Sequence, residues 1–277
     1  MLRSRLAALV KTPEMKISGV FLCAIFMPCW SQLGLAECGA PASELVQVAR
    51  VSDGDTLKLQ DGRSVRILGV NAPEVAHGKK AGQPLGKESR ATAKAFVERA
   101  QGRVRLGFES EKRDHYGRLL AHVYDARGRS LAVEQLRAGM AMQVGVPPNI
   151  AQAKCLAKVE QAARKQNLGV WRHHYWQSLA GSSMRGDETG FRLISGRVAK
   201  VDINSAVWLE LDGKLVVRIA KKDWPLFGYS QRDWQSLKGR RLEVRGWIGK
   251  QSSKRSQQFK PLVMQLRSPS SLMVIER

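Results

Sequence analysis

A chain of 277 residues, 43% hydrophobic and 25% charged, is long enough for two ordinary domains and has globular composition, which excludes a low-complexity or fibrous chain. Lys and Arg number 46 against 24 Asp and Glu, a formal charge of +22, so nucleic acid or an anionic surface is the first partner to consider. The excess runs through residues 44–176 (23 basic, 13 acidic) and residues 190–277 (18 basic, 7 acidic), which excludes a basic tail joined to a neutral domain.

The N-terminus has the order of a secretory signal. Arg3, Arg5, Lys11 and Lys16 come first, then the apolar stretch Ile17–Trp30, then SQLGLA before Glu37. The apolar run falls short of the ~20 residues that a membrane span needs, and Pro28 interrupts it. A signal peptide over residues 1–36 is expected, with export to the periplasm or the outside and no membrane span once it is removed. An uncleaved signal acting as a membrane anchor is the alternative. Met15 offers a second start. Cleavage after Ala36 leaves Cys38 and Cys155, and an oxidising compartment favours a bridge between them that ties the N-terminal arm to the last helix of the first domain. Two separate buried thiols are the other outcome.

In chain order, LVQVARV alternates as a strand, DGDT turns, LKL is a second strand, QDGR turns again and VRILGV is a third strand. Residues 75–86 are rich in Gly and Lys and read as a mobile loop. A helix over Lys87–Ala100 precedes Gly102, and VRLGFE and LLAHVYD are strands joined through EKRDHYGR. A short helix covers Leu131–Ala138, and Asn149 caps a longer helix that runs to Asn167 and stops at Gly169. Residues 177–191, rich in Ser and Gly, read as a linker between a first domain over 37–176 and a β domain over 192–277. Within the latter, VRGWIGKQSSKRSQQFKPLVM should contain an exposed basic hairpin loop.

Three local patterns carry chemistry. Asp53-Gly54-Asp55-Thr56 is a common hairpin turn, but two carboxylates around a glycine also suit a hard cation that takes oxygen ligands. In Val65–Glu74, Arg66 and Ile67 point to opposite faces of a strand, and Pro73 breaks the ladder and lifts Glu74 out of it. Asp114-His115-Tyr116-Gly117-Arg118 alone is a basic turn before a strand.

Taken together, VSDGDTLKL, VRILGVNAPE and RDHYGRLLAHVY, supported by LRAGMAM and AQAKCLAKVEQAARKQNLGVW, resemble the staphylococcal nuclease (thermonuclease) family over about residues 45–172. The resemblance implies a mainly β, α+β fold: an OB-type five-stranded barrel with three helices. It also implies Ca2+-dependent phosphodiester hydrolysis that leaves 3′-phosphates. By the same resemblance, Asp55 is a metal-ligand carboxylate and Ala72 lends a backbone carbonyl. Asn71 stands where the family commonly has a second carboxylate. Glu74 orients or deprotonates water, Arg66 and Arg118 clasp the phosphate, and Tyr116 lies near the bound nucleotide. The residue types suit the chemistry, since planar guanidiniums and a dication address charge that gathers on phosphate oxygens.

Two departures stand out. Asn71 is neutral, so Ca2+ affinity should fall, and activity at higher Ca2+ or with another hard divalent cation is expected. Gln143–Asn149, QVGVPPN, lacks the tyrosines that many members use to stack a base. Residues 192–275 resemble more loosely a small OB-like barrel appended to some bacterial members, and basic strands there suit a nucleic-acid backbone. LGKES lacks the glycine and hydroxyl of a phosphate loop, and the five histidines lack metal-site spacing with cysteines. His173 and His174 read as a surface helix end. Trp208, Trp224, Trp234 and Trp247 could offer stacking surfaces, but their strand positions favour the core.

The expectation is therefore an exported, monomeric endonuclease acting on DNA and RNA without an organic cofactor. The alternative is a nucleic-acid-binding protein with a weak or inactive centre.

Overall fold

A computed structural model of the protein describes residues 38–39, 41–78, 81–251 and 260–276. The expected signal peptide and residues 252–259 of the expected basic hairpin loop lie outside the described residues.

The first half is a closed barrel. Strands β1 (Glu44–Asp53), β2 (Thr56–Leu59), β3 (Ser64–Ile67), β5 (Arg103–Gly107) and β6 (Leu119–Tyr124) close in the order β1-β2-β3-β6-β5. Alternation along these strands sends Leu57, Val65, Ile67, Leu106 and Val123 inward, each at most 1% exposed. Each such burial contributes about 1.5–3 kcal/mol. Helices α1 (Gly86–Arg99), α2 (Leu131–Arg137) and α3 (Ala153–Lys165) cover the barrel through Phe96, Leu131, Leu136 and Leu156. Thus the α+β barrel with three helices is present as expected.

Three details differ from the sequence reading. The strand expected over VRILGV is two: β3 ends at Ile67, and β4 (Val70–Asn71) leaves the barrel to pair with β7 (Met142–Gln143). The turn between them needs Gly69, whose φ is +83° and whose missing Cβ would sit 2.2 Å from Leu156 Cδ1. Asn149 does not cap α3, which begins four residues later. Its amide instead clamps Glu111, accepting from the Glu111 N–H at 3.0 Å and donating to the Glu111 carbonyl at 2.7 Å. The ends of the loop 75–86 are joined rather than loose, because Gln83 N–H donates to the Glu74 carbonyl at 2.8 Å and Glu74 N–H donates to Gln83 Oε1 at 2.9 Å.

The second half is also a ring. Strands β9 (Gly190–Ile203), β10 (Ala206–Leu211), β11 (Leu215–Ala220), β13 (Leu262–Leu266) and β12 (Arg241–Lys250) follow one another, and β12 pairs back onto β9. Its core holds Leu209, Val217, Leu242 and Trp234. Residues 177–191 include β8 (Leu179–Ala180), which runs parallel to β9. A further apolar cluster joins Met142, Ala163, Trp171 and Trp176 to Phe191 and Leu193.

Cys38 and Cys155 form the expected disulfide, closing a sequence separation of 117 with Cα atoms 5.7 Å apart. Among the described residues no helix is long and apolar enough to cross a membrane.

Candidate active site

The turn between β1 and β2 is pressed from three sides. A Cβ on Gly54 would lie 1.8 Å from Ser89 Oγ and 2.9 Å from both Ala72 Cβ and Gln135 Nε2. Gln135 on α2 donates through Nε2 to the Gly54 carbonyl at 2.6 Å and to the Ser89 carbonyl at 2.9 Å. Only glycine fits there, so α1 and α2 fix the flanking carboxylates.

Both carboxylates grip the strand break. Asp55 is 3% exposed, and its Oδ2 accepts the Ala72 N–H at 2.7 Å while Oδ1 accepts the Thr56 hydroxyl at 3.0 Å. Asp53 Oδ1 accepts the Val75 N–H at 3.2 Å. A buried carboxylate needs such donors, because an uncompensated charge there is costly.

Arg66 closes the group. Its Nη1 donates to the Ile67 and Val70 carbonyls, both at 2.8 Å, which requires the chain to bend back after β3. Its Nη2 lies 3.2 Å from Asp55 Oδ2 and 3.3 Å from Asn71 Oδ1. The carboxylate oxygen and the amide oxygen therefore converge on one cationic nitrogen. These two oxygens, one of a carboxylate and one of an amide, are of the kind that a hard divalent cation takes. No cluster of three or more His, Cys, Asp or Glu suited to a metal occurs among the described residues.

Arg118 arrives from the start of β6. Asp114 accepts from Arg118 Nε at 2.7 Å and from the Arg118 N–H at 2.9 Å. Burial pushes the Asp114 carboxyl up, but these hydrogen bonds outweigh it and hold the group below the ordinary carboxylate value. Asp114 thus stays charged and aims the guanidinium.

Arg66 and Arg118 line one cleft of about 430 Å³. Glu74 lies outside the lining of that cleft, two residues beyond Ala72, with its peptide fixed by Gln83. Tyr116 also stands outside it, 74% exposed, with its ring centroid 5.5 Å from Arg118 Cζ. The structure thus gathers Asp55, Arg66, Asn71 and Ala72 tightly and sets Arg66 and Arg118 in one cleft, with Tyr116 beside Arg118, while Glu74 is not among the residues that line it.

Sequence reasoning misplaced one residue that bears on this cleft. Trp247 is not core: it is 49% exposed and lines the cleft with Arg267. Trp234, by contrast, is 1% exposed as assigned. The available signal was alternation in RLEVRGWIG, where Glu243, Arg245 and Trp247 share the face opposite Val244 and Ile248.

The family model described as "Staphylococcal nuclease homologue" matches residues 64–173. The thermonuclease of Staphylococcus intermedius is 33% identical over 127 residues, 45% of this chain and 74% of that protein. Endonuclease YncB of Bacillus subtilis is 34% identical over 146 residues, 49% of this chain and 68% of that protein. An SPbeta prophage-derived endonuclease of the same organism is 36% identical over 135 residues, which are 46% of this chain and 45% of that protein. With these matches laid over a barrel that assembles Asp55, Arg66, Asn71 and Ala72 at one bend and sets Arg118 in the cleft that Arg66 lines, the chain belongs to the staphylococcal nuclease family.

Proposed function

We propose that the protein is an exported, Ca2+-dependent endonuclease that hydrolyses phosphodiester bonds of DNA and RNA. The carrying observation is the convergence of Asp55 Oδ2 and Asn71 Oδ1 beside Arg66, which shares a cleft with Arg118. Asp55, Asn71 and the Ala72 carbonyl would hold the cation, which supplies charge compensation and a bound water. Arg118, with its Nε spent on Asp114, keeps its two Nη groups for phosphate oxygens in the fork geometry that phosphate prefers. Glu74 is the base that takes a proton from the attacking water, held in place by the double Gln83 clamp on its peptide. Export is supported by the charged, apolar, small-residue order of residues 1–36 and by the disulfide.

The test is degradation of plasmid DNA and of RNA by the purified protein, with Ca2+ and with chelator, beside Glu74→Gln. Cleavage that needs the metal and collapses in the variant is expected. Inertness with every divalent metal, together with retained DNA binding, would establish the second reading, a nucleic-acid-binding protein with an inactive centre. That reading draws on the neutral Asn71 and on Arg66 Nη2 lying between the two candidate ligands.

A further inference from the structure

Three alternate residues of β12 face the first barrel. Glu243 takes a two-pronged pair from Arg164 at 2.6 and 2.7 Å, and Arg245 pairs with Glu160 at 2.7 Å. Two residues on, on the same strand face, Trp247 opens into the cleft that Arg66 and Arg118 line. Its neighbours in sequence are turned inward: Ile248 is 4% exposed, and a Cβ on Gly246 would come within 3.1 Å of Met264. The indole is held in an edge contact with Phe191, ring centroids 5.0 Å apart and planes at 70°. A half-exposed indole, braced by Phe191 and lining the same cleft as Arg66 and Arg118, is a preformed surface for a flat partner.

Arg267 stands beside it. Its Nη2 donates to the Pro147 carbonyl at 2.8 Å and its Nε is buried 3.9 Å from Asp223, while the side chain as a whole stays 34% exposed. The contact fixes the cleft wall formed by residues 143–149, the segment without an aromatic of its own. Gly145 packs there so closely on the second barrel that a Cβ would lie 2.7 Å from Ser268 Oγ.

We propose that the second barrel completes the substrate cleft: Trp247 stacks on a nucleobase and Arg267 contacts the backbone, so that the cleft selects single-stranded nucleic acid. In a duplex each base face is covered by its neighbours, so only an unpaired base offers its face to the indole. Stacking of this kind contributes about 1–3 kcal/mol per base, and the guanidiniums that share the cleft hold the phosphates. The proposal rests on the nuclease reading for its biological meaning, but its physical content is binding.

The experiment measures affinity of the full protein for a fluorescent single-stranded oligonucleotide and for its duplex by anisotropy, in chelator so that nothing is cleaved. Trp247→Ala should weaken single-strand binding about 5- to 150-fold, the equivalent of the stacking range, and change duplex binding far less. Trp247→Phe should recover most of the loss. Trp208→Ala, which removes an indole lining a different cleft, should leave both affinities unchanged. Thermal melting of each variant is followed alongside. Unaltered single-strand binding by Trp247→Ala, equal losses on both substrates, a loss as large in Trp208→Ala, or no single-strand binding by the parent protein would each overturn the proposal. A protein that cleaves nothing yet shows the selective Trp247 loss would refute the nuclease reading and leave the platform standing. Normal cleavage with a silent Trp247→Ala would do the reverse.

Discussion

Arg245 on β12 reaches both oxygens of Glu160 on α3 through a single nitrogen, Nη1, at 2.7 Å each, while Glu160 Oε1 also accepts the Gln143 N–H at 2.6 Å. Gln143 pairs with Val70, one residue before Asn71. One carboxylate thus connects the second barrel to the strand that carries a candidate metal ligand. Arg245→Ala leaves that carboxylate buried with one partner fewer and should cost about 3–5 kcal/mol, read as a lower denaturant midpoint. Adding Glu160→Leu should return part of the loss. An unchanged midpoint in Arg245→Ala would show that the pair contributes little.

Arg118→Ala should lower turnover on the order of 10²–10³ while barely moving the melting temperature. Its pair with Asp114 involves an arginine side chain that is 33% exposed, and such pairs contribute at most about 1 kcal/mol. Steady-state kinetics beside calorimetry separates the two effects. Parallel losses of activity and stability would remove Arg118 from the chemistry.

Asn71→Asp should lower the Ca2+ concentration that gives half-maximal activity, because it adds a carboxylate to a set with one. The measure is a Ca2+ titration of nuclease rate. A half-maximal concentration equal to or above that of the parent protein would mean that residue 71 is not a ligand.

Reduction of Cys38–Cys155, or Cys38→Ser with Cys155→Ser, should lower stability by about 4 kcal/mol, since the bridge closes a sequence separation of 117. Melting with and without reductant tests this, and identical curves would contradict it.

His122 predicts a pH dependence. It is buried, and its Nε2 lies 2.7 Å from Glu109 Oε1. Burial lowers its pKa below the ordinary 6.5, and Glu109 only partly opposes the shift. The unfolded chain therefore binds the proton first as pH falls. This contribution to stability is complete above 6.5 and is lost as pH drops through the folded-state value. Melting temperature should decline on acidification below that point, and His122→Gln should flatten the decline. An equally steep decline in the variant would assign it to other groups.

What the sequence displayed well was local. Asp53, Asp55, Arg66, Asn71, Ala72 and Glu74 lie within one contiguous stretch, so hairpin chemistry and the X-Pro break placed them together. Apart from the loop closed between Glu74 and Gln83, the misplacements depend on residues far along the chain. Leu156 dictates the bend at Gly69, Glu111 claims the Asn149 amide, and Phe191 supports Trp247. Alternation told which β12 residues share a face. It could not tell that this face meets α3, because a polar face paired across an interface and a polar face in water have the same pattern.

Because Trp171 and Trp176 on one side of residues 177–190 pack with Phe191 and Leu193 on the other, neither barrel can be exchanged at this seam without stripping cover from large aromatic rings. A recombined gene that brought a foreign C-terminal barrel would inherit sticky indoles, and Glu160 would lose Arg245. The two halves would therefore pass through evolution as one heritable unit, and changes on either side of the seam would have to be matched on the other.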